Sequence, residues 1–287
     1  MKVISANNIV CPIDGSQLVP KDRSLICAQG HNFDLARQGY FNLLVVQHKA
    51  SRDPGDTKEM VAARRRFLEL GCYEAIANSI ANLTEKHLIK LGSSIHNPVT
   101  ILDAGCGEGY YLDWLRAKAE GWQLTEAAII GMDISKWAVQ SAAKRDRQIT
   151  WIVGSNARPP FLPNSIDLII CAFGFPSFDI FHRILKPLGK IIMVDPAPNH
   201  LVELRQLIYP ELKSKPRSEP IQAERFDLID SYNLTFKSKI ETSQAVQDLF
   251  LMTPHYFRSP PTAKIAIAAL QRLEFTVDVS FQVLLKA

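Results

Sequence analysis

The chain has 287 residues and 47% hydrophobic content, room for one large packed α/β domain with a small appendage. Its 33 Lys and Arg against 29 Asp and Glu leave a net charge of only +4, which assigns no partner by itself. No apolar run reaches the length of a membrane span, the N-terminus lacks a leader pattern, and five scattered cysteines do not form a disulfide framework. The expectation is a soluble cytoplasmic protein, with Cys72 and Cys171 as buried small hydrophobes.

The first forty-five residues differ in character from the rest. Cys11-Pro12-Ile13-Asp14 and Cys27-Ala28-Gln29-Gly30-His31 are separated by polar and turn-forming residues. That pattern is a small zinc ribbon with one ligand exchanged, because zinc takes four tetrahedral donors and accepts a carboxylate oxygen. Cys11, Cys27 and His31 are then completed by Asp14. The alternative is a knuckle without its metal, held by packing of Ile26, Phe33 and Leu35. Next, Asp53-Pro54-Gly55 is a turn, and Asp56 is placed to cap a helix that runs to about Leu70 and closes at Gly71. Between Arg37 and Arg66 stand seven basic residues and three acids. Such an excess suits a polyanion, or simply a solvated helix face. Arg64, Arg65 and Arg66 are consecutive, so on a helix they fan over about 200° and cannot all meet one phosphate.

Residues 99–102 are a short apolar run leading into Asp103 and then Gly105, Gly107 and Gly109, with helical spacing from Tyr110 onward. A strand, a bare turn and a helix start let a cofactor lie against backbone. A dinucleotide loop would need a glycine where Tyr110 stands, and a phosphate loop would need Gly-Lys-Ser/Thr, which is absent. The D-x-G-x-G-x-G form resembles motif I of the S-adenosylmethionine methyltransferases. A second apolar run, 127–132, ends in Asp133, where an acid can bind both hydroxyls of a ribose, with Ser135 placed to cap the next helix. Strands follow at 150–153, 166–171 and 190–194, with a helix ending near 185–189. Beyond them come a helix at 201–212, a polar loop at 213–220, a strand at 232–240, helices at 243–251 and 262–273, and a last strand at 275–285. This suits an α/β class I methyltransferase with a Rossmann-like seven-stranded sheet, its last pair antiparallel. The division expected is 1–45 a zinc-ribbon-like RNA-recognition domain, 46–72 a basic linker and helix, and 73–287 the methyltransferase domain.

The Cys knuckle, the Gly39-Tyr40-Phe41-Asn42-Leu43-Leu44 run, Gln47-His48-Lys49 with Ser51-Arg52-Asp53-Pro54-Gly55-Asp56, the helix from Glu59, and Gly105 to Tyr111 stand in the order found in the zinc-containing 23S rRNA guanine-N1 methyltransferases. The chain resembles that family from Cys11 to about His200. The resemblance places Cys11, Cys27 and His31 on zinc ligands, with Asp14 where the family has a second cysteine. It places Tyr73 over the cofactor, Gly105, Gly107, Glu108, Gly109 and Tyr110 in the methionine-side loop, Asp133 at the ribose, Asn156 near adenine, and His200 within reach of the cofactor. It also implies S-adenosylmethionine and Zn2+ as cofactors, a 23S rRNA hairpin as partner, no membrane, and a homodimer whose cleft holds the RNA.

The chemistry can be argued from the residues. Guanine N1 carries a proton and is a poor nucleophile until it leaves, so a base is expected. No motif names one; Asp195, at a strand end, is a candidate. The Asn/Asp-Pro-Pro-aromatic loop of adenine and cytosine enzymes is replaced by Ala172-Phe173-Gly174-Phe175-Pro176, whose phenylalanines could stack on a base or pack as a lid. A paired guanine hides N1, so the target must be a loop base or an extruded one. Lys49, Arg52, Arg64 and Arg65 are the candidates for RNA backbone. The competing function is a SAM-binding ribosome-associated or regulatory protein without methyltransferase activity.

Overall fold

The computed structural model describes residues 2–48, 51, 53–89, 98–122, 126–212 and 223–287. The chain starts in the large sheet, where β1 (Lys2–Val3) pairs in parallel with Glu126 and Ala127. The ribbon follows as an antiparallel sheet of β2 (Val19–Lys21), β3 (Ser24–Ile26) and β4 (Asn32–Asp34). Then β5 (Tyr40–Asn42) leaves it and pairs in parallel with Trp151, Ile152 and Val153. The large sheet therefore takes the chain on both sides of the ribbon. Tyr40 of β5 is buried in the main core.

The linker helix α1 (Lys58–Glu69) is capped by Thr57, whose Oγ1 accepts from the Met60 amide at 3.3 Å. Asp56 was expected in that place; its carboxylate instead pairs with Arg64. Gly71, at positive φ, turns the chain into α2 (Glu74–Ile89). That helix is an addition to the sequence expectations, although Ile76, Ile80 and Leu83 have helical spacing and are buried.

The rest alternates as expected: β6 (Val99–Ala104), α3 (Tyr110–Ala119), β7 (Glu126–Asp133), α4 (Lys136–Arg145), β8 (Thr150–Val153), β9 (Ile166–Ala172), α5 (Phe178–Ile184) and β10 (Leu185–Pro196). After α6 (Val202–Ile208) come β11 (Phe226–Ile240), α7 (Ser243–Leu251), a one-turn α8 (His255–Arg258), α9 (Pro261–Ala269) and β12 (Leu273–Lys286). The polar loop expected at 213–220 lies outside the described residues. The sheet runs β11-β12-β10-β9-β6-β7-β8-β5, with β1 beside β7. From β8 to β10 all pairings are parallel, and β12 is antiparallel to both its neighbours. These seven strands are the class I methyltransferase sheet, and β1 and β5 extend it to nine.

Two apolar layers hold the sheet. Ile101, Leu168, Ile170, Ile192 and Val194 face α2 and α3, while Leu102, Ile169, Cys171 and Met193 face α5 and the ribbon. Parallel strands buried on both faces read as continuous apolar runs, which is why β6 to β10 were visible in the sequence. Trp151 fills the first layer at zero exposure. It requires glycine beneath it, since a Cβ on Gly131 would stand 2.2 Å from its ring.

Candidate functional site: a cofactor bend and a four-ligand knuckle

The carboxyl end of β6 carries the bend. Gly105 and Gly107 are at φ 110° and 55°, conformations that glycine adopts without strain. A Cβ built at either would meet no protein atom closer than 3.5 Å, so that side of the bend is open. Gly109 serves another purpose. A Cβ there would stand 2.8 Å from Trp151 and 2.9 Å from Ala142, so this glycine lets α3 pack.

Asp133, at the end of β7, holds the bend in place. Its Oδ2 accepts from the Gly107 amide at 2.9 Å and its Oδ1 from the Ser135 amide at 2.8 Å. Each oxygen keeps a further lone pair for a ribose hydroxyl. Burial raises its carboxyl, while those two amides and the Arg64 guanidinium pull it back. Asp103 is different. It is buried, and neither carboxylate oxygen has a hydrogen-bond partner. Burial, with Asp133 alongside, pushes its carboxyl up to about 8. Two orphaned oxygens beside an open glycine bend fit a cationic ligand group, and S-adenosylmethionine brings both an ammonium and a sulfonium.

A wall of rings faces this bend. Tyr73, between α1 and α2, lies stacked at 24° on Phe173, whose ring is 5.8 Å from that of His200. Tyr73 Oη lies 3.1 Å from His200 Nε2. His200 is set by the C-terminal strand: the Asp278 amide donates to its Nδ1 at 3.2 Å. Burial pushes its imidazole down to about 4, so at neutral pH it carries one proton. Nδ1 being an acceptor, that proton sits on Nε2 and points at Tyr73 Oη. The Tyr73 hydroxyl proton is left to donate to a ligand. Phe173 was expected only as a possible stacking residue; its place in this wall rests on φ 54°, which no sequence pattern announces.

Two further side chains assigned to the cofactor turn away from it. Glu108 is buried, and its carboxylate takes Arg145 at 2.7 Å. Tyr110 is also buried, edge-on to Tyr111 and 6.0 Å from Arg145. Asn156 Nδ2 donates to the Ala104 and Phe175 carbonyls, both at 3.1 Å, tying the end of β6 to the loop after β9. Asp195 is half-buried at the end of β10, and burial raises its carboxyl. By strand alternation it shares the face of Met193, opposite that of Asp103.

The linker arginines are committed within the protein. Arg64 pairs with Asp56 at 2.5 Å, donates to the Met252 carbonyl at 3.2 Å, and lies against Gly107. Arg65 pairs with Glu69 at 2.9 Å and reaches Ser141 of α4. Arg66 makes a bidentate pair with the buried Asp248 of α7. Arg64 and Arg65, the candidates for RNA backbone, are thus each engaged in an internal ion pair. Lys49 and Arg52 lie outside the described residues.

In the ribbon, Cys11, Asp14, Cys27 and His31 bring one ligand atom each to within 4.8 Å of the others. Sγ of Cys11 and Cys27 lie 3.5 and 3.4 Å from His31 Nδ1, and Asp14 Oδ2 lies 2.9 Å from that nitrogen and 3.3 Å from Cys27 Sγ. Tetrahedral zinc with its usual bond lengths needs ligand–ligand edges of roughly 3.3–3.8 Å. The donor set fits. Asp14 is oriented for this by Ser16, whose amide and hydroxyl both donate to Oδ1, leaving Oδ2 turned to the cluster. Zinc content near one equivalent is expected; stripping it with a chelator should lower the melting temperature and leave S-adenosylmethionine affinity within twofold, read by calorimetry.

Comparison with known proteins agrees with this geometry. Residues 9–52 match the zinc-ribbon family described as RlmA, N-terminal, and residues 101–189 match a methyltransferase domain family. YxjB of Bacillus subtilis (strain 168), provisionally named a 23S rRNA (guanine-N1)-methyltransferase, is 32% identical over 284 residues, 96% of either chain. The chain belongs to the 23S rRNA (guanine-N1)-methyltransferase family. A Streptomyces fradiae member, the 23S rRNA (guanine(748)-N1)-methyltransferase, is 31% identical over 68% of this chain and 65% of its own. One from Micromonospora griseorubida, with a provisional name of the same kind, is 33% identical over 68% of this chain and 67% of its own. Both matched segments lie in this one chain, the first holding the Cys11, Asp14, Cys27 and His31 cluster and the second the glycine bend. Among the described residues no helix is long and apolar enough to cross a membrane.

Proposed function

We propose that this protein transfers the methyl group of S-adenosylmethionine to N1 of a guanine in a 23S rRNA hairpin. The observation that carries the reading is the open bend between two carboxylates, one hydrogen-bonded and one orphaned, in a chain that keeps the family's ribbon. When bound, the cofactor supplies an electrophilic methyl on a sulfonium. The chain's own work is placement: Asp133 takes the ribose hydroxyls, Asp103 the cationic end, and Tyr73 donates its hydroxyl proton from behind. Phe173 and His200 close that wall and exclude water. The N1 proton needs an acceptor, and we assign Asp195, half-buried at the end of β10 with its carboxyl raised by burial. N1 is free only on an unpaired or extruded guanine, and the hairpin is what the family resemblance implies. A homodimer belongs to the same proposal, on the family's resemblance.

The test is transfer of labelled methyl from S-adenosylmethionine to unmodified 23S rRNA, followed by digestion to nucleosides. The label is expected in 1-methylguanosine, and Asp195→Asn should lower kcat by about 10²–10⁴ with cofactor affinity kept. Label at another position, or cofactor binding without transfer, would overturn the reading.

A further inference from the structure

Arg64 and Arg65 of the linker helix are engaged in ion pairs within the protein. A concavity of about 830 Å³ lies between the ribbon and the catalytic core. Ile13 and Gly15 of the ribbon form one wall, and Arg158, Pro159 and Arg183 of the core form the other. Arg158 and Arg183 are both exposed, and no Asp or Glu lines the groove.

Its walls are fixed. The Val10 amide donates to the Pro160 carbonyl at 2.9 Å, the Leu162 amide to the Asn8 carbonyl at 3.0 Å, and Ile9 bridges Phe161. The ribbon is thus docked on the core by backbone hydrogen bonds, and the groove exists before any ligand arrives. At its inner end lies Ser155, next to Asn156, which ties the Phe175 carbonyl to the end of β6. Phe175 is 90% exposed, the most exposed large hydrophobic side chain among the described residues. An acid-free groove with two arginines, and a bare aromatic residue whose carbonyl is held by the neighbour of the groove's Ser155, suit a single nucleic-acid strand. Guanidinium groups neutralise phosphates, and an exposed ring stacks on a base.

We propose that the groove between ribbon and core binds the RNA strand flanking the target guanine, with Arg158 and Arg183 on its phosphates and Phe175 stacked on a base at its catalytic end. This rests on the methyltransferase reading above. It also gives the ribbon a direct part in substrate binding, since Ile13 is 58% exposed on the ribbon wall.

The experiment compares wild type, R183E, the R158A/R183A pair, I13E and F175A. The readouts are RNA affinity at several salt concentrations, S-adenosylmethionine affinity by calorimetry, and methyl transfer. R183E should weaken RNA binding tenfold or more. The double variant should reduce the slope of log affinity against log salt by about 0.7 per lost phosphate contact, the single-strand value. I13E should follow R183E, F175A should lower transfer tenfold or more, and cofactor affinity should stay within twofold throughout, which also reports that each variant is folded. Wild-type transfer with variants that bind RNA and salt like wild type would overturn the groove and leave the enzyme reading standing. Absence of transfer by wild type would instead overturn the reading on which the groove rests. Competition by polyglutamate at equal charge concentration, as strong as by an RNA oligonucleotide, would assign the groove to an acidic peptide and also overturn the proposal.

Discussion

Asp103→Asn protein is expected to melt above wild type when no cofactor is present, and to bind S-adenosylmethionine at least tenfold more weakly. Both effects follow from one fact: a carboxyl at 1% exposure whose two oxygens have no partner. Its pKa rises from 3.8 to about 8 on folding. An acid raised in this way supports the fold in its protonated form. That support is complete below about pH 4 and is lost as pH climbs toward 8. At pH 7 the amide removes the cost of holding the proton or burying the charge, a gain of roughly 1–3 kcal/mol after allowance for the amide's own unmet hydrogen bonds. The gain should vanish near pH 4. Thermal melts from pH 4 to 8 check the sign, and a variant less stable than wild type at pH 7 would refute the account. Cofactor affinity of the wild type should rise with pH toward 8, because the ligand's cation selects the ionised carboxylate. The variant should lose that dependence.

The second large effect has the opposite sign. Asp133→Ala removes the acceptor for the Gly107 and Ser135 amides, so the bend and the start of α4 lose their common anchor. A loss of stability of about 1–3 kcal/mol is expected, limited by water reaching the freed amides. Cofactor affinity should fall a hundredfold or more, since two hydrogen bonds to a charged group disappear together. Asp133→Asn should recover part of the stability through its remaining oxygen, and little of the affinity. Two acids on neighbouring strands, 30 positions apart, would then affect the fold in contrary ways. A pair of variants that both destabilise would mean that Asp103 has a partner in solution.

The contrast between these acids bears on how far a sequence can be read. Asp103 and Asp133 were both visible as strand-end acids beside a glycine turn. Which of them is satisfied was invisible, because the answer lies in where two backbone amides point. The ligand knuckle was legible for a related reason. Four ligands within 21 residues are brought together by local turns, and Ser16 supplies the orienting hydrogen bonds from two residues away.

The arginines show the reverse. A run of three on one helix suggested a polyanion, yet their partners Asp56, Glu69 and Asp248 include one 182 residues distant. No local window contains α7, so no local reading could assign Arg66 to it. The groove arginines were missed for the same reason: Arg158 and Arg183 come from separate connections and meet the ribbon only after the chain has crossed the sheet.

Local patterning thus determined the strands, the cofactor bend and the metal knuckle, because buried parallel strands, glycine turns and closely spaced ligands leave short-range signatures. The tertiary structure decided which glycine serves packing, which charges are spent on one another, and which side chains line the groove between ribbon and core. Those outcomes depend on pairings between elements far apart in sequence, and their energies are set by burial that only the assembled fold creates.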